Sequence, residues 1–305
     1  MNISATLNEL ALPLKRVSVT ALRIGGDPMH RSISCFLIIA WIMLAYPAMS
    51  QERNRTILAV FAHADDESSV APLLARYARE KADVYLVIVT RGETFAPQTN
   101  LSPGEEIAKV RAEEARCSAS ALGIHPPILL RFADGTLGGT IRPPWATLTK
   151  VETELGKLLA DLRPDVVITW GPEGGYGHPD HRLVGAVVTQ LVQRKAKGAP
   201  RHLLYPAFPR GRVPDEPKPG DQGSSVLDIL PWAPVDMEYL TVQVPYTDAD
   251  LNAAGKSLVC YKSQFPVEFL RVAAQQLHKD IWQGRIYLRP WVGSVKGQDL
   301  FALSP

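Results

Sequence analysis

The sequence predicts an α/β fold, a mostly parallel β-sheet covered by helices on both faces. From residue 56 onward, short apolar stretches rich in β-branched residues alternate with longer stretches of helical periodicity. Polar and acidic residues directly follow two of the apolar stretches, as they do at the carboxyl edge of a parallel sheet, where such folds bind ligands. Repeated β–α units pair in parallel through right-handed crossovers, so we expect one Rossmann-like domain after an N-terminal segment.

The predicted strands are apolar, partly β-branched and about as long as a buried strand. The first and the fourth end in polar clusters, and the second and the third open into polar loops that contain glycine. The predicted strands cover residues 56–61, 83–90, 128–132, 165–170 and 239–244.

The predicted helices are marked mainly by their ends. Pro103 and Glu105 are typical of a first helical turn, and Gly123 is typical of a C-terminal cap. Pro164 ends the next helix, and Pro179 begins the one after it. Residues 210–234 are rich in proline, glycine and charge and predict an exposed excursion. The predicted helices cover residues 68–80, 102–122, 145–162, 179–192, 248–260 and 267–280.

Composition and charge limit the class of protein. A chain of 305 residues with 46% apolar residues can bury one large core. Its 33 basic and 31 acidic residues give a net charge of +2, so we expect no nucleic-acid partner. Two cysteines after residue 50 do not make a disulfide framework, and we expect Cys117 to be a small buried apolar residue.

The first 50 residues have the order of an export signal. Basic residues after Met29 precede the apolar stretch Cys35–Met49, and a small-x-small pattern follows as at a cleavage site. The stretch is short for a transmembrane helix, although an uncleaved anchor is the alternative. We expect residues 1–50 to be an N-terminal extension and signal peptide and residues 51–305 to be the mature domain. The mature protein would then be periplasmic or extracellular, with no stable membrane insertion.

Two polar clusters follow the first and fourth predicted strands. His63, Asp65 and Asp66 come directly after the first strand, and His178 and His181 begin the helix that follows the fourth. The last two share a helix face because they are three residues apart. His63, one aspartate and one of these histidines make a two-histidine, one-carboxylate site, which suits catalytic zinc, with Fe²⁺ as the alternative.

The acids beside these candidate ligands have other expected roles. Adjacent carboxylates in an irregular turn point in different directions, so one of Asp65 and Asp66 can bind a metal while the other faces the attacking water. Asp180, between the two histidines, is expected either to orient an imidazole ring or only to favour the first turn of its helix.

The sequences AHADDE and GHPDH, at residues 62–67 and 177–181, together resemble the PIG-L/LmbE-like N-acetylglucosaminyl deacetylase family. Ala64 stands where that family more often has proline, which loosens the turn without removing a ligand. The resemblance extends over most of the mature chain and includes TRGE at 90–93, RAEE at 111–114, RFADG at 131–135, Lys256, YKSQ at 261–264 and DLF at 299–301.

The resemblance implies a zinc-dependent hydrolase. Such an enzyme removes the N-acetyl group from an N-acetylglucosamine-containing small molecule or glycoconjugate and releases acetate and a free amino sugar. The resemblance also implies one Zn²⁺ per chain, bound by His63, Asp66 and His181.

The same resemblance implies roles for the neighbouring side chains. Asp65 would be the general base, and His178 would stabilise the oxyanion or protonate the leaving amine. Tyr176 resembles a mobile active-site tyrosine. Arg111 and Asp134 match positions that contact the sugar in relatives.

Other classes of protein predict different residues. A non-catalytic secreted sugar-binding protein of the same fold would lack Asp65 or a ligand, and all of them are present. A nucleotide-binding protein would need a phosphate loop, and the glycines of residues 171–177 fit neither the P-loop nor the GxGxxG pattern. Within hydrolases, the alternative is an amidase that acts on another amide of a sugar conjugate, because loops set specificity.

Overall fold

A seven-stranded β-sheet organises the part of the chain that the computed structural model describes, residues 54–135, 137, 145–213 and 232–305. The N-terminal segment at 1–50 and residues 214–231 of the predicted excursion lie outside the described residues, so their interpretation stays a prediction.

The sheet is mostly parallel, as the sequence predicts. Its strand order is β3-β2-β1-β4-β5-β9-β8. The first five strands in that order are parallel, whereas β9 runs antiparallel to both β5 and β8. The short strands β6 and β7 pair separately. The strands are β1 (Thr56–Phe61), β2 (Asp83–Thr90), β3 (Ile128–Phe132), β4 (Val166–Thr169), β5 (His202–Pro206), β6 (Phe208–Pro209), β7 (Pro234–Val235), β8 (Val242–Pro245) and β9 (Arg285–Pro290).

Two strands of the sheet, β5 and β9, are not predicted from the sequence. β5 is only five residues long and ends in proline. β9 contains Arg285 and Arg289, which are uncommon in a strand that lies between two others. Arg289 is tolerated because its guanidinium donates to Glu173 Oε2 at 2.6 Å and lies over the ring of Tyr205. Both strands therefore depend on contacts that are distant in sequence.

The helices lie close to their predicted positions. The helix predicted over 68–80 begins instead as the 3₁₀ turn Asp66–Val70 and continues as an α-helix. No helix in the described ranges combines the length and the apolar composition needed to cross a bilayer. The α-helices of nine or more residues are α1 (Ala71–Arg79), α2 (Glu105–Leu122), α3 (Trp145–Leu162), α4 (Pro179–Gln193), α5 (Asp248–Leu258) and α6 (Val267–Leu277).

Strand β1 is buried on both of its faces, which explains its continuous apolar sequence. Alternate residues point to opposite sides of a sheet. Ile57, Ala59 and Phe61 pack with residues of α1, α2, α5 and α6, whereas Leu58 and Val60 pack with residues of α3 and α4. The predicted helices on both faces are therefore confirmed.

The strand order reverses direction beside β1. The chain runs from β1 to β2 and β3 on one side, and then to β4 and β5 on the other. Ligands bind outside the carboxyl ends of strands at such a point. Because β1 and β4 are adjacent and parallel, the loops that follow them meet there. These loops carry the two predicted polar clusters.

Gly185 allows α4 to approach the end of β4 closely. A Cβ atom added at this position would lie 2.1 Å from the carbonyl oxygen of Trp170. Only glycine permits this backbone contact, which sets the start of α4, and its two histidines, against the end of β4.

Cys117 and Cys260 form a disulfide bond, so the prediction of a buried apolar Cys117 is wrong. Cys117 lies on the exposed surface of α2, next to the end of α5. The two cysteines are 143 residues apart in sequence, and their pairing follows from the packing of α2 against α5.

Candidate active site

The three predicted metal ligands converge at the carboxyl edge of the sheet. His63 Nδ1 lies 3.0 Å from His181 Nε2, which lies 3.0 Å from Asp66 Oδ1. His63 Nδ1 is also 3.9 Å from Asp66 Oδ2. A tetrahedral zinc ion with ligand bonds of about 2.0–2.2 Å separates its ligand atoms by about 3.3 Å. The three side chains therefore have the chemistry and the spacing to bind one such ion.

Further hydrogen bonds hold two of these ligands in place. Asp66 Oδ2 accepts the indole N–H of Trp170 at 3.0 Å and two backbone N–H groups at the end of β1, also at 3.0 Å. His181 Nδ1 lies 3.1 Å from the carbonyl oxygen of Gly174. Because a carbonyl can only accept, Nδ1 carries a proton, which leaves Nε2 as the nitrogen that faces Asp66 and the candidate metal position.

Two further carboxylates face the other nitrogen of His63. His63 Nε2 lies 3.0 Å from Asp134 Oδ1 and 3.5 Å from Asp180 Oδ2. Asp180 also accepts the N–H of Gly135 at 2.9 Å. Burial opposes a charge on His63, but its hydrogen bonds to Asp134 and Asp180 raise its pKa to about 10. These carboxylates therefore favour positive charge beside His63, and a bound metal ion would replace the extra proton of the imidazolium.

The positions of Asp180 and Asp134 beside His63 bear on the roles predicted for these two acids. Asp180 lies where it can orient the His63 ring. Asp134, predicted to contact the sugar, is directed at His63 and also accepts a hydrogen bond from Thr94.

His178 lies beside the candidate ligands, with its ring centroid 4.7 Å from that of His63 and 4.6 Å from that of His181. Its Nδ1 accepts the N–H of Asp180 at 3.2 Å, so the neutral ring carries its proton on Nε2. Burial and the nearby charges of His63 and His181 lower the pKa of His178. The neutral ring can therefore donate from Nε2 without first becoming an imidazolium.

Tyr176 packs edge-on against both helix histidines, with ring centroids 5.8 Å from His178 and 5.2 Å from His181. Burial, followed by the charge of Asp66, raises its pKa, so its hydroxyl stays protonated and can donate a hydrogen bond. Its neighbour Gly175 has a φ of +71° and lies under the ring of Trp170, which gives this turn its unusual backbone.

Asp65 points away from Asp66 because its backbone is left-handed, with a φ of 97°. Its Oδ2 accepts from the Arg111 guanidinium at 2.9 Å. Arg111 is buried and also contacts Glu114 and the carbonyl of Ala64. Arg111, predicted to contact a sugar, is therefore held against Asp65. Burial raises the pKa of Asp65, although the charge of Arg111 opposes this.

The side chain of Glu67 holds the backbone of Asp65 through a hydrogen bond. Its Oε2 accepts the N–H of Asp65 at 3.1 Å. Its Oε1 accepts the hydroxyls of Ser118 and Tyr261. Ser118 also lies 2.7 Å from the hydroxyl of Ser257. Glu67, Ser118, Tyr261 and Ser257 are all buried. Burial raises the pKa of Glu67 to about 7.

A polar pocket of about 220 Å³ opens in front of these groups. The pocket is lined by His63, Asp65 and His178, together with Arg111 beside Asp65 and Asp134 beside His63. Phe95, whose exposed fraction is 62%, stands at its mouth. The pocket therefore brings charged groups and an exposed aromatic ring to the candidate metal site, a combination that suits a sugar.

Sequence reasoning missed three contributors to this site. Trp170 bonds Asp66 from 104 residues away, and its contact follows only from the pairing of β1 with β4. Phe95 lies in a loop without a motif. The partners of Glu67 lie on α2 and just beyond α5. Although Tyr261 belongs to the YKSQ motif, nothing in the sequence links it or Ser118 to Glu67.

The sequence of the chain is similar to a protein family and to two individual proteins of that kind. Residues 58–192 match the PIG-L family, described as GlcNAc-PI de-N-acetylase. The chain is 32% identical over 215 residues to the 1D-myo-inositol 2-acetamido-2-deoxy-alpha-D-glucopyranoside deacetylase of Thermobifida fusca (strain YX), covering 60% of this chain and 75% of that protein. It is 34% identical over 178 residues to the protein of the same name from Rhodococcus opacus (strain B4), covering 53% of this chain and 58% of that protein. The chain thus spans from just over half to three quarters of the length of these two relatives.

A solved structure shares the fold. The N,N'-diacetylchitobiose deacetylase from Pyrococcus horikoshii superposes with a TM-score of 0.56 and 18% identity, covering 88% of this chain and 95% of that chain. Both polar clusters of the candidate site lie within the family match. With an identity of 32% over three quarters of the Thermobifida protein, the chain belongs to the PIG-L family of metal-dependent deacetylases, enzymes that hydrolyse amides.

Proposed function

We propose that this protein is a zinc-dependent hydrolase that removes the N-acetyl group from an N-acetylglucosamine-containing substrate. The products are acetate and a free amino sugar. The observation that carries the proposal is the convergence of His63, Asp66 and His181 beside Asp65 and His178. The names of the two curated relatives, which describe deacetylation of an acetamido sugar, support the same reaction.

The donor set favours zinc. Two imidazoles and one carboxylate, with a position open to the pocket, are typical ligands of catalytic zinc, although they also suit Fe²⁺. When bound, the metal would polarise the amide carbonyl and lower the pKa of water from 15.7 toward about 7. We propose one ion per chain.

The side chains around the ion divide the proton transfers. Asp65 accepts the proton of the attacking water, and a raised pKa suits a base that must hold a proton during the reaction. His178 donates from Nε2 to the oxyanion of the tetrahedral intermediate. The carbon–nitrogen bond then breaks, and the amine leaves with the proton that Asp65 accepted from the water. The hydroxyl of Tyr176 can supply a second hydrogen-bond donor at the same place.

We further propose that the protein works outside the cytoplasm, after removal of the N-terminal signal. The disulfide bond between Cys117 and Cys260 supports this location, because disulfides persist in oxidising compartments and are rare in the cytoplasm.

Acetate release tests the proposed reaction. We would incubate the purified protein with zinc and with free, oligomeric and lipid-linked N-acetylglucosamine compounds, and we expect acetate from at least one of them. Asp65→Asn keeps the shape and the metal ligands but removes the base, so kcat should fall by about 10²- to 10⁴-fold while the zinc content stays the same. Asp66→Asn weakens the only anionic ligand, so zinc content should fall and added zinc should restore part of the activity.

Asp161→Asn on the exposed surface of α3 is the matched control and should change neither activity nor zinc content. Loss of zinc in Asp65→Asn with retention in Asp66→Asn would exchange the two roles. No acetate from any compound, with zinc bound, would overturn the proposal in favour of a non-catalytic sugar-binding protein.

A further inference from the structure

A second and larger cavity adjoins the polar pocket. Its volume is about 370 Å³, and it lies between the 3₁₀ turn after β1, helix α6 and the aromatic residues that follow β5 and α6. Its walls are mainly aromatic and aliphatic and include Phe208, Trp232, Phe269, Leu270, Leu277 and Trp282. We call this cavity the apolar chamber.

The apolar chamber is too large to be an ordinary packing defect. Protein interiors are close-packed, and a void forfeits the contacts of the side chains that line it. An apolar cavity of about 150 Å³ already stays dry and binds a benzene-sized molecule. Leu270 and Trp282 in the walls are almost completely buried, so the chamber is bounded by fixed side chains rather than by a loose surface.

The chamber and the polar pocket meet at the reacting groups. Asp65, Phe95, Tyr176 and Gln264 line both spaces, and Asp66 lines the chamber. Gln264 donates to the carbonyl oxygen of Phe95 at 2.8 Å, which ties the two sides of the shared mouth together. A substrate amide at Asp65 would therefore lie between a polar space and an apolar one.

An amide carbonyl has two substituents, the nitrogen and the acyl carbon. The polar pocket, with Arg111 and Asp134 in its wall, suits an amino sugar on the nitrogen. The apolar chamber then faces the acyl side and has room for roughly ten methylene-sized groups, at about 30 Å³ each, far more than the methyl group of acetate needs.

We propose that the apolar chamber binds the acyl chain of the substrate and that this protein prefers N-acyl amino sugars whose chain is longer than acetyl. This inference rests on the proposed function, because it uses the same site and the same reaction. Water adds to the acyl carbonyl carbon and the carbon–nitrogen bond breaks. Both protons of the water pass to the amine, which leaves as an ammonium, and the chain leaves as its carboxylate.

A series of substrates tests the chain length. We would measure kcat/KM of the zinc-loaded protein for N-acetyl-, N-butanoyl-, N-hexanoyl- and N-octanoylglucosamine. Burial of each methylene group should raise kcat/KM by about fourfold until the chamber is filled. The octyl glycoside of N-acetylglucosamine carries the same chain on the other side of the sugar and should gain nothing over N-acetylglucosamine.

Substitutions in α6 test whether the preference for long acyl chains depends on the apolar chamber. Ala273, which is 1% exposed, lines the chamber, so Ala273→Phe should fill it and lower the octanoyl-to-acetyl ratio of kcat/KM at least tenfold. Val272 is the neighbouring residue and is 55% exposed, so Val272→Phe should leave the ratio unchanged. Should Ala273→Phe not fold, Ala273→Leu fills less of the chamber and should lower the ratio by a smaller factor.

The outcomes separate this inference from the proposed function. Hydrolysis of N-acetylglucosamine compounds with no gain from longer acyl chains overturns the inference and leaves the deacetylase. A gain from the octyl glycoside alone also overturns it, because the chamber would then bind the group attached to the sugar. Hydrolysis of none of these compounds overturns both.

Discussion

At the residue scale, Glu67 is the carboxyl group whose environment is least expected. It is fully buried, and its two oxygens accept three hydrogen bonds from Asp65, Ser118 and Tyr261. Burial nonetheless raises its pKa from 4.5 to about 7, so the folded protein holds a proton there that the unfolded chain has lost. The side chain of Glu67 bonds the backbone N–H of Asp65 and thereby holds the turn that carries this residue.

This shift predicts how stability depends on pH. Between pH 4.5 and about 7 the folded state binds one more proton at Glu67 than the unfolded state, so this residue's contribution falls as pH rises. The loss is on the order of 3 kcal/mol by pH 8. Glu67→Gln mimics the protonated form. The metal-free variant should therefore gain stability relative to the metal-free wild type between pH 5 and pH 8, measured by urea unfolding. A difference that is constant with pH would contradict a protonated Glu67.

The candidate ligands could be predicted from the sequence because each belongs to a short polar cluster that directly follows a predicted strand. His63 and Asp66 are in one turn, and His181 follows a strand of the same type. An orienting role for Asp180 was one of the two expected from the sequence, whereas the contacts of Trp170 and Asp134 were not, since they join elements far apart in the chain. Asp134 is the example: its motif suggested a sugar contact, whereas its carboxylate contacts the ring of His63 and the hydroxyl of Thr94.

At the scale of secondary-structure elements, α2 and α5 are joined by both covalent and polar contacts. Cys117 and Cys260 are bonded, and their neighbours Ser118 and Tyr261 both donate to Glu67. The disulfide therefore joins the two residues that directly precede the hydrogen-bond donors of Glu67.

Removal of the disulfide should destabilise the protein. The bond closes a loop of 143 residues, and native disulfides typically contribute about 2–5 kcal/mol. The Cys117→Ser/Cys260→Ser double variant should therefore have a lower free energy of unfolding than the wild type. Dithiothreitol should lower the Tm of the wild type and leave that of the double variant unchanged. Equal Tm values for the two proteins without reductant would show that the bond contributes nothing.

At the scale of the whole molecule, the fold was predictable where units repeat. The parallel strands β1 to β4 each belong to a β–α unit with an apolar strand and a marked helix end. The antiparallel edge was only partly predictable. β8 was expected near its observed position, but β9 has charged residues whose partners, such as Glu173, become neighbours only in the folded chain.

The export prediction also belongs to this scale. The short apolar stretch Cys35–Met49 and the small residues at its end predict cleavage, so the exported protein should begin near Ser50 or Gln51. Intact-mass measurement of protein recovered from the periplasm or the medium checks this. An uncleaved chain in the membrane fraction would favour the anchor instead.

The walls of the apolar chamber come from a different stretch of chain than the reacting groups. The candidate ligands, the base and His178 all lie within residues 58–192, the part that matches the family, whereas most of the chamber wall lies between residues 208 and 282. Hydrolysis and the choice of acyl group are thus encoded in consecutive blocks of the sequence. A protein built in this way can change what it cleaves by altering its C-terminal third while the apparatus that cleaves is left as it was.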